Sequence, residues 1–185
     1  MKKKLSAALG SAALAGALTV APVSTATAEP PPYCGITWGS QTKSEMNLST
    51  GTVQGVRSGQ HWCFDRIVVD IAGPVAGYHA DYVDTVRQEG SGFPVPLRGD
   101  AYIQFSVQAP AYDHQGNRTY QPAHDAELVN PEGYQTLRQV AWAGSFEGQT
   151  TLGIGVRAHL PYRVFTLEGP GEYSRVVIDV AHFWH

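Results

Sequence analysis

Past its first 28 residues the chain holds one lysine, Lys43, two cysteines, Cys34 and Cys63, and no stretch with helical periodicity. It has no Gly-x-Ser-x-Gly elbow, no His-Glu-x-x-His pair and no phosphate loop, so the readable signatures of a serine hydrolase, a zinc peptidase and a nucleotide-phosphate site are missing. Basic residues are scarce as well. Without Lys2, Lys3 and Lys4, thirteen basic residues become ten against sixteen acids, a net charge of about −6. A surface with that balance has no basic field to hold nucleic acid or an anionic membrane, which excludes both as the main partner. The remaining cations are arginines, whose planar fork suits bidentate contact with carboxylates.

Residues 1–28 read as a cleaved signal segment. Three lysines precede an Ala/Leu/Gly/Val-rich run, and Ala26-Thr27-Ala28 offers the small residues of a peptidase site. Pro22 and several Ser and Thr interrupt that run, which disfavours a membrane anchor, and Pro32-Tyr33 before Cys34 disfavours a lipidation site. The expectation is a secreted protein of the cell envelope that does not span a membrane. Residues 29–33 form a short linker and residues 34–185 a single domain; about 157 mature residues suffice for one core. In an exported chain two cysteines imply a Cys34–Cys63 disulfide, worth about 3.5 kcal/mol by chain entropy, with a two-cysteine metal site as the alternative.

Phe64-Asp65-Arg66-Ile67-Val68-Val69-Asp70-Ile71-Ala72 returns near the C-terminus as Tyr173-Ser174-Arg175-Val176-Val177-Ile178-Asp179-Val180-Ala181. Both copies read aromatic, polar, Arg, three β-branched residues, Asp, β-branched, Ala. Such β-branched runs favour strands. Period two puts Ile67, Val69 and Ile71 on one face with Val176, Ile178 and Val180 in the copy; Arg66 and Asp70 share the other with Arg175 and Asp179. The repeat is either a coincidence of strand composition or an internal duplication. If the copies lie antiparallel about a pseudo-two-fold axis, Arg66 faces Asp179 and Arg175 faces Asp70. Each such pair would contribute about 0.2–1 kcal/mol to register. Exposed arginines gripping ligand carboxylates are the functional alternative.

The rest of the chain reads as strands and turns. Residues 40–60 form a connection with a short edge strand at 52–57. Further strands are expected at 77–86, 101–108, 136–142, 151–157 and 162–167, with turn chemistry at 89–92 and 94–99. Gly153 and Gly155 share one face of their strand, so another strand or a ligand packs close there. Residues 110–133 are too poor in apolar residues to build an element and form a long loop, functional or mobile. The class is all-β: a single-domain sandwich of two sheets with an internal pseudo-two-fold strand repeat.

Chemistry is thin. Asp113-His114 and His124-Asp125 lie in the long loop, where a metal or acid–base cluster competes with plain solvated residues. His182-x-x-His185 sits at the chain end. Trp38, Trp62, Tyr78, Tyr82, Tyr102, Trp142 and Tyr162 exceed what one core face needs. They serve either as half-buried packing or as rings that stack on sugars and partners. Arg66, Arg175, Tyr78, Tyr82 and Tyr102 are therefore the candidate ligand contacts. No catalytic residue, metal ligand or cofactor site is assigned, and an enzyme is not expected.

One ordered set of motifs is familiar: Cys34-Gly35-Ile36-Thr37-Trp38-Gly39-Ser40, Cys63-Phe64-Asp65-Arg66, Gly77-Tyr78 with Tyr82-Val83, Gly90-Ser91-Gly92 with Pro96-Leu97-Arg98-Gly99, Phe146-Glu147-Gly148, Arg163-Val164-Phe165-Thr166-Leu167, and Val176-Val177-Ile178-Asp179-Val180-Ala181-His182. Together they resemble the AMIN-like domain of secreted actinobacterial proteins, a relative of the AMIN domain of cell-wall amidases and pilus secretins. The resemblance implies two symmetry-related β-sheets and a non-catalytic envelope-binding module, with peptidoglycan or another cell-wall glycan as partner. An envelope protein bound through the 110–133 loop is the alternative. The chain departs from that pattern in lacking a recognisable amidase or secretin region and in its longer loop.

Overall fold

The computed structural model describes residues 31–184; the expected signal segment 1–28, the first two linker residues and His185 lie outside them. Nine strands follow a three-residue 3-10 turn at Tyr33–Gly35: β1 (Lys43–Glu45), β2 (Thr52–Gln60), β3 (Phe64–Ala72), β4 (Tyr78–Val83), β5 (Ala101–Val107), β6 (Leu137–Phe146), β7 (Gln149–Val156), β8 (Tyr162–Glu168) and β9 (Tyr173–Ala181). They form two antiparallel sheets, β1-β4-β5-β7-β6 and β2-β3-β9-β8, facing each other across one core. β1 lies in a stretch without periodicity and was not expected. β2 runs three residues past its expected end and carries a bulge between Val53 and Gly55. β6 continues to Phe146 with irregularities of its own.

The two copies of the repeat are neighbours. β3 and β9 pair antiparallel with Arg66 opposite Asp179, Val68 opposite Val177 and Asp70 opposite Arg175, so a local two-fold passes through the Val68–Val177 pair. The pleat then sends Ile67, Val69, Ile71, Val176, Ile178 and Val180 inward, where all six are buried. They meet Ile103, Phe105, Val107, Leu152, Ile154 and Val156 of the opposite sheet. A one-residue slip would turn this whole apolar set to solvent, and that fixes the register.

Three tyrosines strap the sheets together along one side. Tyr78 and Tyr82 of β4 donate their hydroxyls to the carbonyls of Val164 (3.3 Å) and Leu160 (2.7 Å), and Tyr162 of β8 donates back to Ala80 (2.8 Å). The N-terminal segment adds to this side, the Tyr162 amide donating to the Gly39 carbonyl at 2.9 Å. On the opposite side lies the long loop, and it is ordered. Its Pro110 carbonyl accepts from Val53 and the Leu128 amide donates to Val140, both at 2.8 Å, while Gln60 Nε2 donates to the Gly133 carbonyl at 3.1 Å. The loop thus joins the β2 and β6 edges, and Tyr120, Leu128, Val129 and Tyr134 pack against the core.

The glycine face of β7 is covered by an irregular segment of the chain and not by a strand. A Cβ on Gly155 would fall 1.9 Å from the Arg98 carbonyl oxygen, and one on Gly153 would stand 3.0 Å from Leu97. The irregular segment around Leu97 and Arg98 crosses directly over these positions; its backbone leaves room only for glycine at 155, while at Gly153 the Leu97 and Val86 side chains would have to give slightly.

Candidate functional site

The outer face of the β2-β3-β9-β8 sheet gathers charge. Pairing places Arg57 opposite Val68, Arg163 opposite Asp179, Phe165 opposite Val177 and Leu167 opposite Arg175. With Arg66 and Arg175 from the repeat, four of the chain's nine arginines stand on this one face, against two carboxylates, Asp70 and Asp179. A locally positive surface therefore sits on an acidic protein.

Asp179 is the buried anchor of that face, with no exposed side-chain surface. Arg66 reaches it through Nε at 2.6 Å and Nη2 at 2.9 Å, and Arg163 through Nε at 2.8 Å. Aromatic rings back both guanidiniums. Arg66 lies 5.1 Å from the Phe64 ring centre and 5.5 Å from Phe165; Arg163 lies 5.0 Å from Phe165, 5.5 Å from Phe64 and 5.6 Å from Trp38. Positive charge over a ring face is held by the ring quadrupole, and the rings limit how far either arginine can swing. The Cys34–Cys63 disulfide forms, stapling the segment that carries Trp38 to the start of β3. A disulfide fits an oxidising, extracytoplasmic compartment.

The other half of the face is arranged differently. Asp70 is held by Arg57, through Nε at 2.8 Å and Nη2 at 3.1 Å, and this hydrogen bonding raises the Arg57 pKa. Arg175, although directly opposite Asp70, turns away and donates to the carbonyls of Gly169 (2.8 Å) and Glu168 (3.3 Å). Its buried Nε has no partner, and it makes no ion pair among the described residues. Between these arginines runs a groove of about 200 Å³, lined by Arg57, Arg66 and Arg175, by His61 and Leu167, and by Val68 and Val177 at its base. At the end of the sheet the β2–β3 turn presents Trp62, 92% exposed, beside His61, whose ring stacks on Phe64 at 4.5 Å.

The structure therefore brings Arg66 and Arg175 onto one face but places the three candidate tyrosines elsewhere. Tyr78 and Tyr82 point between the sheets as cross-sheet straps, and burial pushes the Tyr82 hydroxyl up to about 12. Tyr102 lies on the other sheet, its hydroxyl on the Gly99 carbonyl at 3.2 Å. Arg57, Arg163 and Phe165 were not singled out from the sequence. For Arg163, Phe165 and Leu167 the signal was there, since period two puts them on one side of β8. For Arg57 it was not, because β2 alternates too weakly to show its face.

The remaining polar clusters are accounted for by local structure. Asp113 accepts from the amides of Gln115 (2.9 Å) and Asn117 (2.8 Å), and with the Asn117 side chain these bonds hold its carboxyl below the usual range. His114 and His124 are exposed, and among the described residues no three His, Cys, Asp or Glu gather as a metal site. Asp65 and His182 meet at 3.1 Å, both fully buried, while the other Asp65 oxygen accepts the amides of Thr136 (2.6 Å) and Leu137 (2.9 Å). Fully buried, this pair ties β3 to the chain end and to β6. Among the described residues no helix is long and apolar enough to cross a membrane.

No curated protein and no solved structure matches the chain significantly. The family comparison is positive: the AMIN-like domain matches residues 51–182, the span from just before β2 to His182. That span contains β3 and β9, their neighbours β2 and β8, and every arginine of the outer face, and membership points to a cell-wall-associated, non-catalytic module. The chain belongs to the AMIN-like domain family.

Proposed function

We propose that this is an exported, non-catalytic module that binds the cell wall, with peptidoglycan as its ligand, through the outer face of the β2-β3-β9-β8 sheet. The observation that carries the reading is the gathering of Arg57, Arg66, Arg163 and Arg175 with Phe165 and Trp38 on one face of an acidic chain. Peptidoglycan offers sugar rings to stack and peptide carboxylates to pair with, and this face carries partners for both. Trp62 at the end of the face is placed for the first task. An envelope protein docking on the 110–133 loop finds less support, since the loop's larger apolar side chains pack inward against the core.

Co-sedimentation of the mature protein with purified peptidoglycan, at low and moderate salt, tests this. Saturable pelleting that weakens several-fold in Trp62→Ala and in Arg57→Gln supports the reading. Absence of pelleting at both salts removes peptidoglycan as the ligand, and undiminished pelleting in both variants moves the contact off this face.

A further inference from the structure

The pseudo-two-fold makes the outer face a comparison of a filled position with an empty one. Arg66 and Arg175 occupy equivalent places in the repeat, as do Asp179 and Asp70. On one side of the axis a carboxylate lies in the fork of Arg66, with Arg163 adding a second guanidinium. On the other side Arg57 has captured Asp70 from the adjacent strand, and Arg175 is left with two backbone carbonyls and a buried Nε without a partner. A buried donor left unmade is costly, and such groups in native structures call for an explanation. The groove beside it is lined by two further guanidiniums and by His61, while Val68, Val177 and Leu167 supply an apolar side.

We infer that this groove is a subsite for a carboxylate carried next to a small apolar group, with Arg175 as the guanidinium that receives it. The carboxylate plays for Arg175 the part that Asp179 plays for Arg66, since Asp70, the equivalent of Asp179, is held by Arg57. Arg66 and Arg57 supply flanking positive charge while keeping their own partners. A methyl-sized group beside the carboxylate falls on the valines and Leu167. A groove of about 200 Å³ has room for one such residue. If the wall-binding reading above holds, the inference assigns recognition at this point to the ends of the wall's peptide arms instead of its sugar chain, and it rests on that reading for its biological setting.

The test uses the mature protein and N-acetyl-alanyl-alanine, compared with the same dipeptide as its C-terminal amide. Binding is followed by NMR through the arginine Nε–Hε signals. The expected result is a saturable shift of the Arg175 signal with the acid, at least tenfold weaker with the amide, and loss of the acid's binding in Arg175→Gln with the dispersed amide spectrum retained. The acid–amide comparison on the unaltered protein needs no variant and stands even if Arg175→Gln fails to fold. Equal binding of acid and amide, or no shift at Arg175, overturns the subsite. Inorganic phosphate binding as tightly as the acid overturns its carboxylate preference. The wall reading is judged separately: pelleting with peptidoglycan while acid and amide behave alike leaves wall binding standing and removes the subsite. Binding of the acid at Arg175 without pelleting does the reverse.

Discussion

Arg66 on β3 holds the buried carboxylate of Asp179 on β9 through two hydrogen bonds, 2.6 and 2.9 Å, across the axis that relates the two strands. The equivalent residues Arg175 and Asp70 oppose each other in the same ladder yet do not pair, because Arg57 takes the carboxylate first. A duplicated strand has in this way produced one closed ion pair and one guanidinium without a carboxylate. The closed half contributes to stability, and the other half carries the proposed subsite.

Asp179→Asn is expected to destabilise the fold by about 3–5 kcal/mol, because it leaves Arg66 and Arg163 partly desolvated without their carboxylate. Asp70→Asn removes a pair whose arginine side chain is 56% exposed, and surface pairs of that kind contribute about 0–1 kcal/mol. Urea denaturation of the two variants side by side measures the contrast. Similar losses in both would contradict the division of the face into a buried and an open half.

Asp70→Asn carries a second expectation. Releasing Arg57 from its carboxylate puts two unpaired guanidiniums beside the groove, so the acidic dipeptide should bind several-fold more tightly than to the unaltered protein. Titration at matched salt checks this, since screening weakens exposed charges. Weaker binding would mean that Asp70 itself contacts the ligand.

Much of this arrangement was legible in the sequence, for a physical reason. The repeat strands are buried on one face, so their apolar alternation had to be written into the residues, and with it the register that opposes Arg66 to Asp179. The outcome for Arg175 was not legible. It depends on Arg57, whose strand β2 has small or polar residues on both faces and a bulge that shifts the register at Gly55. The cross-sheet bonds of the tyrosines were hidden for a related reason: Tyr78 and Tyr82 look like surplus surface rings along the sequence, and only the approach of β8 to β4 provides the carbonyls that take up their hydroxyls. Nor does the pattern of residues 110–133 reveal an ordered loop, because what orders it is hydrogen bonding to the edges of β2 and β6.

Reduction of the Cys34–Cys63 disulfide, or the Cys34→Ser/Cys63→Ser double variant, should lower stability by about 3.5 kcal/mol in the chain-entropy account. The segment released carries Trp38, whose ring lies 5.9 Å from Phe64 and 5.6 Å from the Arg163 guanidinium. The loss should therefore be accompanied by a red-shifted tryptophan emission while the far-ultraviolet spectrum of the strands is kept. An unchanged emission would show that Trp38 is held by its neighbours alone.

Tyr82 provides a pH-dependent test of the cross-sheet straps. Burial raises its pKa to about 12, opposed in part by hydrogen bonding at Leu160, whose amide donates to the phenol oxygen at 3.0 Å. An unfolded tyrosine ionises near 10, roughly two units lower. Between those values the folded state holds the proton that the unfolded state has lost, so stability is complete below about pH 10 and falls as pH rises toward 12. Phenolate absorbance during alkaline titration should show a step absent in Tyr82→Phe. The variant should lose less stability over that pH window, although it gives up the hydrogen bond to the Leu160 carbonyl at neutral pH.

The long loop should divide into a dispensable tip and a required base. Residues 113–118 form a self-contained turn: Asp113 accepts from Gln115 and Asn117, and Tyr112 bridges Arg118. Replacing 113–118 by a short glycine-containing turn removes bonds made mainly within the tip, and shortening a loop slightly reduces its closure entropy. The expected change in stability is within about 1 kcal/mol, with peptidoglycan pelleting unaltered. The base behaves differently. Thr119 donates its hydroxyl to the Val53 carbonyl at 2.8 Å, and the Tyr134 hydroxyl lies 3.2 Å from Ser58. Tyr134→Ala removes that contact and an aromatic ring packed on the core, and a cost of about 3 kcal/mol is expected for a large-to-small change of this kind. If the tip replacement instead abolished pelleting while the fold stayed intact, the ligand contact would lie on the loop, and the arginine face would have to be given up as the binding surface.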